Sequence, residues 1–490
     1  MASSPTVARP VRPRLAAGMV VAAVVFVCVV LGVVSALYGY HRDELYFRML
    51  PLAWGYTDQP PLTPLLVHAV IGAFGDSVVA VRTVSLACAA ASLPILALIT
   101  REVGGGRRAQ AITVFGMAGA SMTLLFGHVT LTASLDLVVW PAALLFAIRA
   151  VLRDQGWWWI VLGAVIGVSS FNKLLVVVLM LGIAVGLAVA GPRKWFGSAW
   201  LWAGVAVAGI LAAPNVLYQA THGWPQLAMG AALADGNADE VRVMMWPFLV
   251  LLPGPVLATV WIAGLVQLIR WPTLRPIRFV AVVFAVVLTF VFAAGTQFYY
   301  TAGILAVLVA IGAVPVAQWA HTRGRRIALS ILIVANTIGS GIASLPVLPV
   351  EVFGASGLGA VNAAARDQVG WERYAVQIRD AALAADADVI IASNYGEAGA
   401  LDRFGSAGIA VVSGHNALWD LGGPPSDART VVIVGGQADR ATAWFETCDT
   451  VTELDNGVGV DNEEQGMPVV VCSGPRGSWS ELWPRFRHLD

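Results

Sequence analysis

The sequence predicts a polytopic α-helical membrane protein that ends in a soluble α/β domain. Three observations carry this. Of 490 residues, 58% are hydrophobic and only 12% are charged, against roughly a quarter charged in soluble domains. Apolar runs of close to twenty residues, enough to cross a bilayer, recur as far as about residue 349. Charge then divides the chain: residues 1–349 hold 21 basic and 10 acidic side chains, and residues 350–490 hold 9 and 20. The expected domains are therefore 1–349, with a charged first outer loop at 38–78, and 350–490.

About eleven spans are expected, near 15–37, 79–99, 110–127, 136–152, 157–171, 174–190, 200–218, 246–269, 279–295, 301–319 and 327–345. The first is longer than a signal-peptide core and lacks a small-residue cleavage site, so it reads as a retained helix. The run 62–74 is too short to span and reads as re-entrant or interfacial. With the N-terminus cytoplasmic, sixteen basic residues fall on the inner side, from Arg9, Arg12 and Arg14 to Arg323, Arg325 and Arg326. Five fall outside: Arg42, Arg48, Arg82, Lys173 and Arg242. Eight acidic residues fall outside and two inside. This asymmetry sets the orientation, and an odd number of spans puts the C-terminal domain outside a plasma membrane.

In that domain WERYAVQIRDAALAAD reads as an amphipathic helix, and DVIIASNY, IAVVSGHN, TVVIVGG and PVVVCSG read as short buried strands. NYGEAGALDRFG reads as a strand, a turn and a helix, whose N-terminus either takes an anion or is an ordinary βα turn. Cys28 and Cys88 fall in apolar spans and pack. Cys448 and Cys472 share an oxidising compartment and are expected to be bridged.

The candidate chemistry collects at helix ends on the outer side. HRDELYFRMLPLAWGYTDQPPL, residues 41–62, brings Asp43, Glu44 and Asp58 together directly after the first span. Carboxylates at a membrane boundary are costly and read by default as functional. Asp43 and Glu44 are neighbours on a short helix, about 100° apart, so one faces a reaction centre while the other orients it or pairs with an arginine such as Arg42. Asp58 precedes Pro60 and Pro61, which stiffen the chain. Asp136 stands at the outer mouth of the fourth span, as a possible cation ligand with Asp43 and Asp58 or as an N-cap. His222 sits in a loop, where histidines are more often structural. Lys173 either snorkels or meets a phosphate. Tyr299 and Tyr300 read as interfacial aromatics whose hydroxyls are also able to bind a lipid phosphate. Walker, HExxH and CxxC motifs are absent, so ATP-driven transport, zinc peptidase and redox readings lack support.

DELYF (43–47) followed by GYTDQPPL (55–62), with weaker support from SLDLVVW (134–140), NVLYQATHGWP (215–225) and FYYTAG (298–303), resembles the polytopic GT-C glycosyltransferases of family 39 type. Relatives in that group include protein O-mannosyltransferases and the aminoarabinose transferase that modifies lipid A. The resemblance spans roughly Leu15 to Pro349. It implies a polyprenyl-phosphate-linked sugar donor, an acceptor glycan, lipid or protein, and catalysis on the non-cytoplasmic face, with no nucleotide cofactor and no nucleic-acid partner. Asp43 matches the family's base, with Glu44 beside it. The aminoarabinose transferase has Glu-Lys-Pro where this chain has Asp58, Gln59 and Pro60. Asp58 keeps an oxygen ligand for a divalent metal, and Gln59 loses the phosphate-binding charge. Arg42, Arg48, Arg82, Lys173 or a metal would then neutralise the phosphate, with Asp136, His222, Tyr299 and Tyr300 completing the substrate site. The competing reading is a transporter or flippase of a lipid-linked sugar, which would place its polar groups near the midplane.

Overall fold

The structure, a computed structural model, describes residues 12–490. Arg9, counted above in the basic inner tail, lies outside the described residues. The described residues pack as two compact units, 12–32, 85–128 and 132–342 in one, and 33–84, 129–131 and 343–490 in the other. The first charged loop thus shares a unit with the C-terminal domain.

The first unit is built from apolar helices. Six helices of the described chain are long and apolar enough to cross a membrane: Ala17–Val34, Val78–Glu102, Thr132–Arg153, Ala199–Thr221, Phe298–Trp319 and Arg323–Ser344. Two bent pairs raise the number to as many as eight. Shorter apolar helices at Trp158–Ser169, Val176–Val189 and Phe279–Ala294 fall where further spans were expected. These helices make the chain a multi-pass membrane protein. Glycines set the closest approaches between helices, as small residues do where lipid removes the hydrophobic drive to associate. A Cβ added at Gly163 would come within 2.0 Å of the Gly204 carbonyl.

Two expected spans are corrected: residues 110–127 fall on two helices, Arg107–Ala118 and Ser121–His128, bent by 51°. Residues 246–269 are not a single helix: Pro225–Leu251 and Pro255–Arg270 meet at 94°. The sequence at the break is Leu252-Pro253-Gly254-Pro255. Pro253 lacks the amide a continuing helix needs, Gly254 turns at φ +89, and Pro255 starts the next helix. Asn336 holds the corner, accepting from the Val256 amide at 3.1 Å and donating to the Pro253 carbonyl at 3.3 Å. Asp235, Asp239 and Glu240, expected in a loop, lie within the 27-residue Pro225–Leu251 helix.

In the second unit the first loop forms two helices, Arg42–Met49 and Leu62–Phe74. The C-terminal part is a five-stranded sheet with strands β1 (Val389–Ala392), β2 (Ala410–Ser413), β3 (Thr430–Val434), β4 (Phe445–Glu453) and β5 (Pro468–Pro475) in the order β2-β1-β3-β5-β4. The first three pair in parallel and the last two run antiparallel. The expected amphipathic helix is Trp371–Ala384. Strand β4 was not anticipated: it is the edge strand, exposed along nearly all its length, so no apolar alternation marks it.

Cys448 and Cys472 face each other across β4 and β5 and are joined by a disulfide, whereas Cys28 and Cys88 are free. The bridge closes a sequence separation of 24 residues, which corresponds to a stabilisation of about 3 kcal/mol in the loop-entropy account. Cys448→Ser is therefore expected to loosen β4 and β5, seen as faster amide exchange there. Unchanged protection would show that the bridge contributes little.

The helix Tyr395–Phe404 begins with a capping box. Asn394 accepts from the Glu397 amide at 2.9 Å, and Glu397 accepts from the amides of Ser393 at 2.7 Å and Asn394 at 3.1 Å. The carboxylate of Glu397 occupies this N-terminus, so the ordinary-turn reading holds here. Burial, with the nearby charge of Glu464, pushes the Glu397 carboxyl up to about 8 despite its amide donors, and burial pushes Glu464 up to about 7. Because both folded-state values lie above the unfolded value of 4.5, the folded state binds more protons. Stability is then full below about pH 4.5 and falls as pH rises toward 8. Thermal unfolding midpoints between pH 5 and 9 should decline, and Glu397→Gln should flatten the decline. An equally steep decline in that variant would remove Glu397 as its source.

Candidate active site

Asp43 and Glu44 diverge on the Arg42–Met49 helix, as adjacent helical positions must. Glu44 is fully buried and caps the helix by accepting from the His41 amide at 2.9 Å. It also accepts from Arg82, through Nε and Nη2 at 3.0 Å each, and from the Thr130 amide at 3.0 Å. Its partner is thus Arg82, and Arg42 lies elsewhere. Arg82, 2% exposed, further donates to the carbonyls of Ser35 at 2.8 Å and Gly39 at 2.7 Å and to Gln368 at 3.0 Å.

The other arginines of the loop are also held by carboxylates. Arg42 pairs with Glu463 and, at 2.8 Å, with Glu464. Arg48 pairs with Asp76 at 2.9 Å and with Asp402. The three arginines that sequence offered to a phosphate, Arg42, Arg48 and Arg82, are therefore engaged by protein acids.

Asp43 keeps partial exposure. Its Oδ1 accepts from the Tyr395 hydroxyl at 3.0 Å, and His41 Nδ1 lies 3.9 Å from the same oxygen. Asp58 Oδ1 accepts from the Tyr46 hydroxyl at 3.0 Å. The rings of Tyr46 and Tyr395 stack at 4.6 Å, so Asp43 and Asp58 belong to one polar cluster. Desolvation, with the charges of Asp43 and Asp420, pushes Asp58 up to about 7 against the lowering bond from Tyr46. Next to it Gln59 is 6% exposed, and its side-chain Nε2 has no acceptor among the described residues. A buried donor without a partner is costly, and an incoming anion would satisfy it.

In the other unit, Asp136 lines a small cavity with Phe126, Trp140, Tyr299, Tyr300 and Gly303. The ammonium of Lys173 lies 4.1 Å from the Tyr300 ring centroid and 5.5 Å from that of Tyr299, a cation–π arrangement. Asp136, Lys173, Tyr299 and Tyr300 thus form one local group. His222 is an exposed C-cap, its Nδ1 bonded to the Tyr218 carbonyl at 2.8 Å and its ring stacked on Tyr218.

No three metal-ligating side chains gather at Asp58 among the described residues. The group whose ligand atoms lie within 4.8 Å of one another is His415, His488 and Asp490 in the C-terminal domain. There His415 Nδ1 accepts from the Tyr395 amide at 3.1 Å, which leaves its proton on Nε2, facing Asp490.

Sequence reasoning missed Tyr46 and Tyr395. Tyr46 lies inside the quoted DELYF motif, where only the acids were singled out. Tyr395 is 352 residues from Asp43, and only the NYGEAG turn marked its neighbourhood.

Residues 58–218 match the family model described as dolichyl-phosphate-mannose-protein mannosyltransferase. No curated protein matches the chain by sequence. Among solved structures, ArnT from Cupriavidus metallidurans bound to undecaprenyl phosphate is 16% identical, with 94% of this chain and 99% of that one covered at a TM-score of 0.62. Arabinofuranosyltransferase AftD from Mycobacteria is 13% identical over 96% of this chain and 40% of its own, with a TM-score of 0.52. AglB, the oligosaccharyltransferase of Archaeoglobus fulgidus, in complex with an inhibitory peptide and a dolichol-phosphate, is 12% identical over 88% and 70%, with a TM-score of 0.50. With a helical bundle carrying a charged first loop, and near-complete coverage of ArnT in both directions, the chain has the fold of the GT-C membrane glycosyltransferases.

Proposed function

We propose that the protein transfers a sugar from a polyprenyl-phosphate donor to an acceptor hydroxyl, on the outer face of the membrane and with inversion. The observation that carries the reading is the match of nearly the whole chain to a structure bound to undecaprenyl phosphate. The charge asymmetry of the loops supports a cytoplasmic N-terminus and an extracytoplasmic first loop and C-terminal domain.

In this reading Asp43 accepts the proton of the acceptor hydroxyl as it attacks the anomeric carbon. Its Oδ1 is held by Tyr395, and Oδ2 accepts no hydrogen bond from the described residues. Glu44 acts through the position it gives the helix. The leaving phosphate needs hydrogen-bond donors or cations. With Arg42, Arg48 and Arg82 engaged by carboxylates, Gln59 supplies a neutral donor beside Asp58. A divalent cation, if bound, would take Asp58 as its protein carboxylate and the donor phosphate for other oxygens, the way Mg²⁺ commonly binds; it would add charge neutralisation at the leaving group. His222 has the bonding of a structural cap.

The test uses vesicles from cells lacking the protein, resupplied with the purified full-length chain. Mass spectrometry should show wild-type protein consuming a polyprenyl-phosphate sugar of those membranes and releasing polyprenyl phosphate. Movement of that lipid between leaflets with its sugar retained would instead support the flippase.

Gln59→Leu should raise the donor KM about tenfold or more, because it removes the buried donor at the phosphate. An unchanged KM would exclude Gln59 from donor binding.

A further inference from the structure

We propose that Tyr395 of the C-terminal α/β domain is a positioning residue for Asp43, so that this domain completes the sugar-transfer site. The proposal rests on the reading of Asp43 as the base.

The geometry has three parts. First, the Tyr395 hydroxyl donates to Asp43 Oδ1 at 3.0 Å. A carboxylate has two basic oxygens, and a fixed donor on one of them sets the plane of the group. Oδ2, which the described hydrogen bonds leave open, is then aimed at the acceptor proton. Burial, and then the charge of Asp43, pushes the phenol well above its usual range, so it stays protonated and acts only as a donor to Asp43.

Second, Tyr395 is itself immobilised. Its ring is stacked between Tyr46 at 4.6 Å and His415 at 4.8 Å. Its amide donates to His415 Nδ1 at 3.1 Å, and it is the first residue of a helix fixed by the Asn394–Glu397 capping box. A side chain locked by packing and by its neighbours' hydrogen bonds can hold a reacting group in place.

Third, the partner in the stack does the same for the other acid. Tyr46 donates to Asp58 at 3.0 Å and accepts from the Ala417 amide at 3.3 Å. Two stacked phenols, one from the first loop and one from the C-terminal domain, thus each orient one carboxylate. Both rings also pack against the sheet face of Ile390, Ala392, Val432 and Val434, so the hydroxyls, and not the rings, are what the two carboxylates use. The pairing accounts for a soluble domain sharing a compact unit with the loop that carries the acids.

The experiment compares wild type, Tyr395→Phe and Asp43→Asn as full-length proteins in the vesicles described above, with their own polyprenyl-phosphate sugar as the probe. Tyr395→Phe keeps the stacked ring and deletes only the O–H. The expected result is a roughly tenfold lower kcat, with the KM for donor lipid and the thermal unfolding midpoint unchanged. A purely structural role for Tyr395 would move the midpoint and leave kcat per folded molecule alone. An inactive Asp43→Asn together with a wild-type kcat in Tyr395→Phe overturns the positioning role and spares the assignment of the base. A raised KM at unchanged kcat overturns it too, because Tyr395 would then be a donor contact. Full activity in Asp43→Asn overturns the assignment of the base, and the inference with it.

Discussion

Asp43→Asn should lower sugar transfer by about 10²–10⁴-fold, the range that a positioned general base contributes, while yield and thermal unfolding stay near wild type. The substitution is nearly isosteric, and the amide oxygen can still accept from the Tyr395 hydroxyl, which lies 3.0 Å from the native Oδ1. What the amide cannot do is take a proton. The fold is therefore kept and the chemistry lost, a separation that a truncation to Ala would blur by also emptying the contact with Tyr395. Asp43→Glu is the complementary variant: it retains basicity but moves it by one methylene, and misplacement of about 1 Å can cost on the order of 10²-fold. Turnover by Asp43→Asn equal to that of wild type, measured in the vesicle assay, would remove Asp43 from the reaction.

Parts of this arrangement were legible because membrane context makes charge conspicuous. DELYF and GYTDQPPL stand out as acids between apolar runs, and Cys448 and Cys472 stand out as the two cysteines of the C-terminal domain. The helix Trp371–Ala384 and four of the five strands follow from periodicity. Other parts depend on tertiary contacts that periodicity does not encode. Arg82 looks like a solvent-side cation in the sequence, yet it is buried against Glu44, 38 residues away. Arg42 finds Glu463 and Glu464 more than 400 residues downstream. The break between Pro225–Leu251 and Pro255–Arg270 was hidden for another reason. A hydropathy window averages over Pro-Gly-Pro, whereas the backbone responds to the missing amides and to the positive φ of Gly254. Tyr395 gave no signal because a phenol at a helix start is as ordinary in a core as in a site.

Breaking the Glu44–Arg82 pair should be the most destabilising change in the first loop. Glu44 is fully buried and Arg82 is 2% exposed. Removing one partner of such a pair strands the other charge away from water, a cost of about 3–5 kcal/mol, comparable with the smaller total stabilities found for folded domains. Arg82→Met leaves the Glu44 carboxylate with only the His41 and Thr130 amides at 2.9 and 3.0 Å. Glu44→Gln leaves the guanidinium with the carbonyls of Ser35 and Gly39 and the side chain of Gln368. Either variant should lower the unfolding midpoint sharply and reduce the yield of folded protein. The double variant Glu44→Gln, Arg82→Met should recover part of the loss, since a neutral amide facing a thioether strands no charge. The same series decides what Glu44 contributes. If Glu44 acts by fixing the helix, activity per folded molecule in Glu44→Gln should fall far less than in Asp43→Asn. A Glu44→Gln protein that unfolds like wild type but has lost turnover would place Glu44 in the chemistry. Unfolding midpoints of both single variants within a degree of wild type would show that the buried pair does not hold the loop.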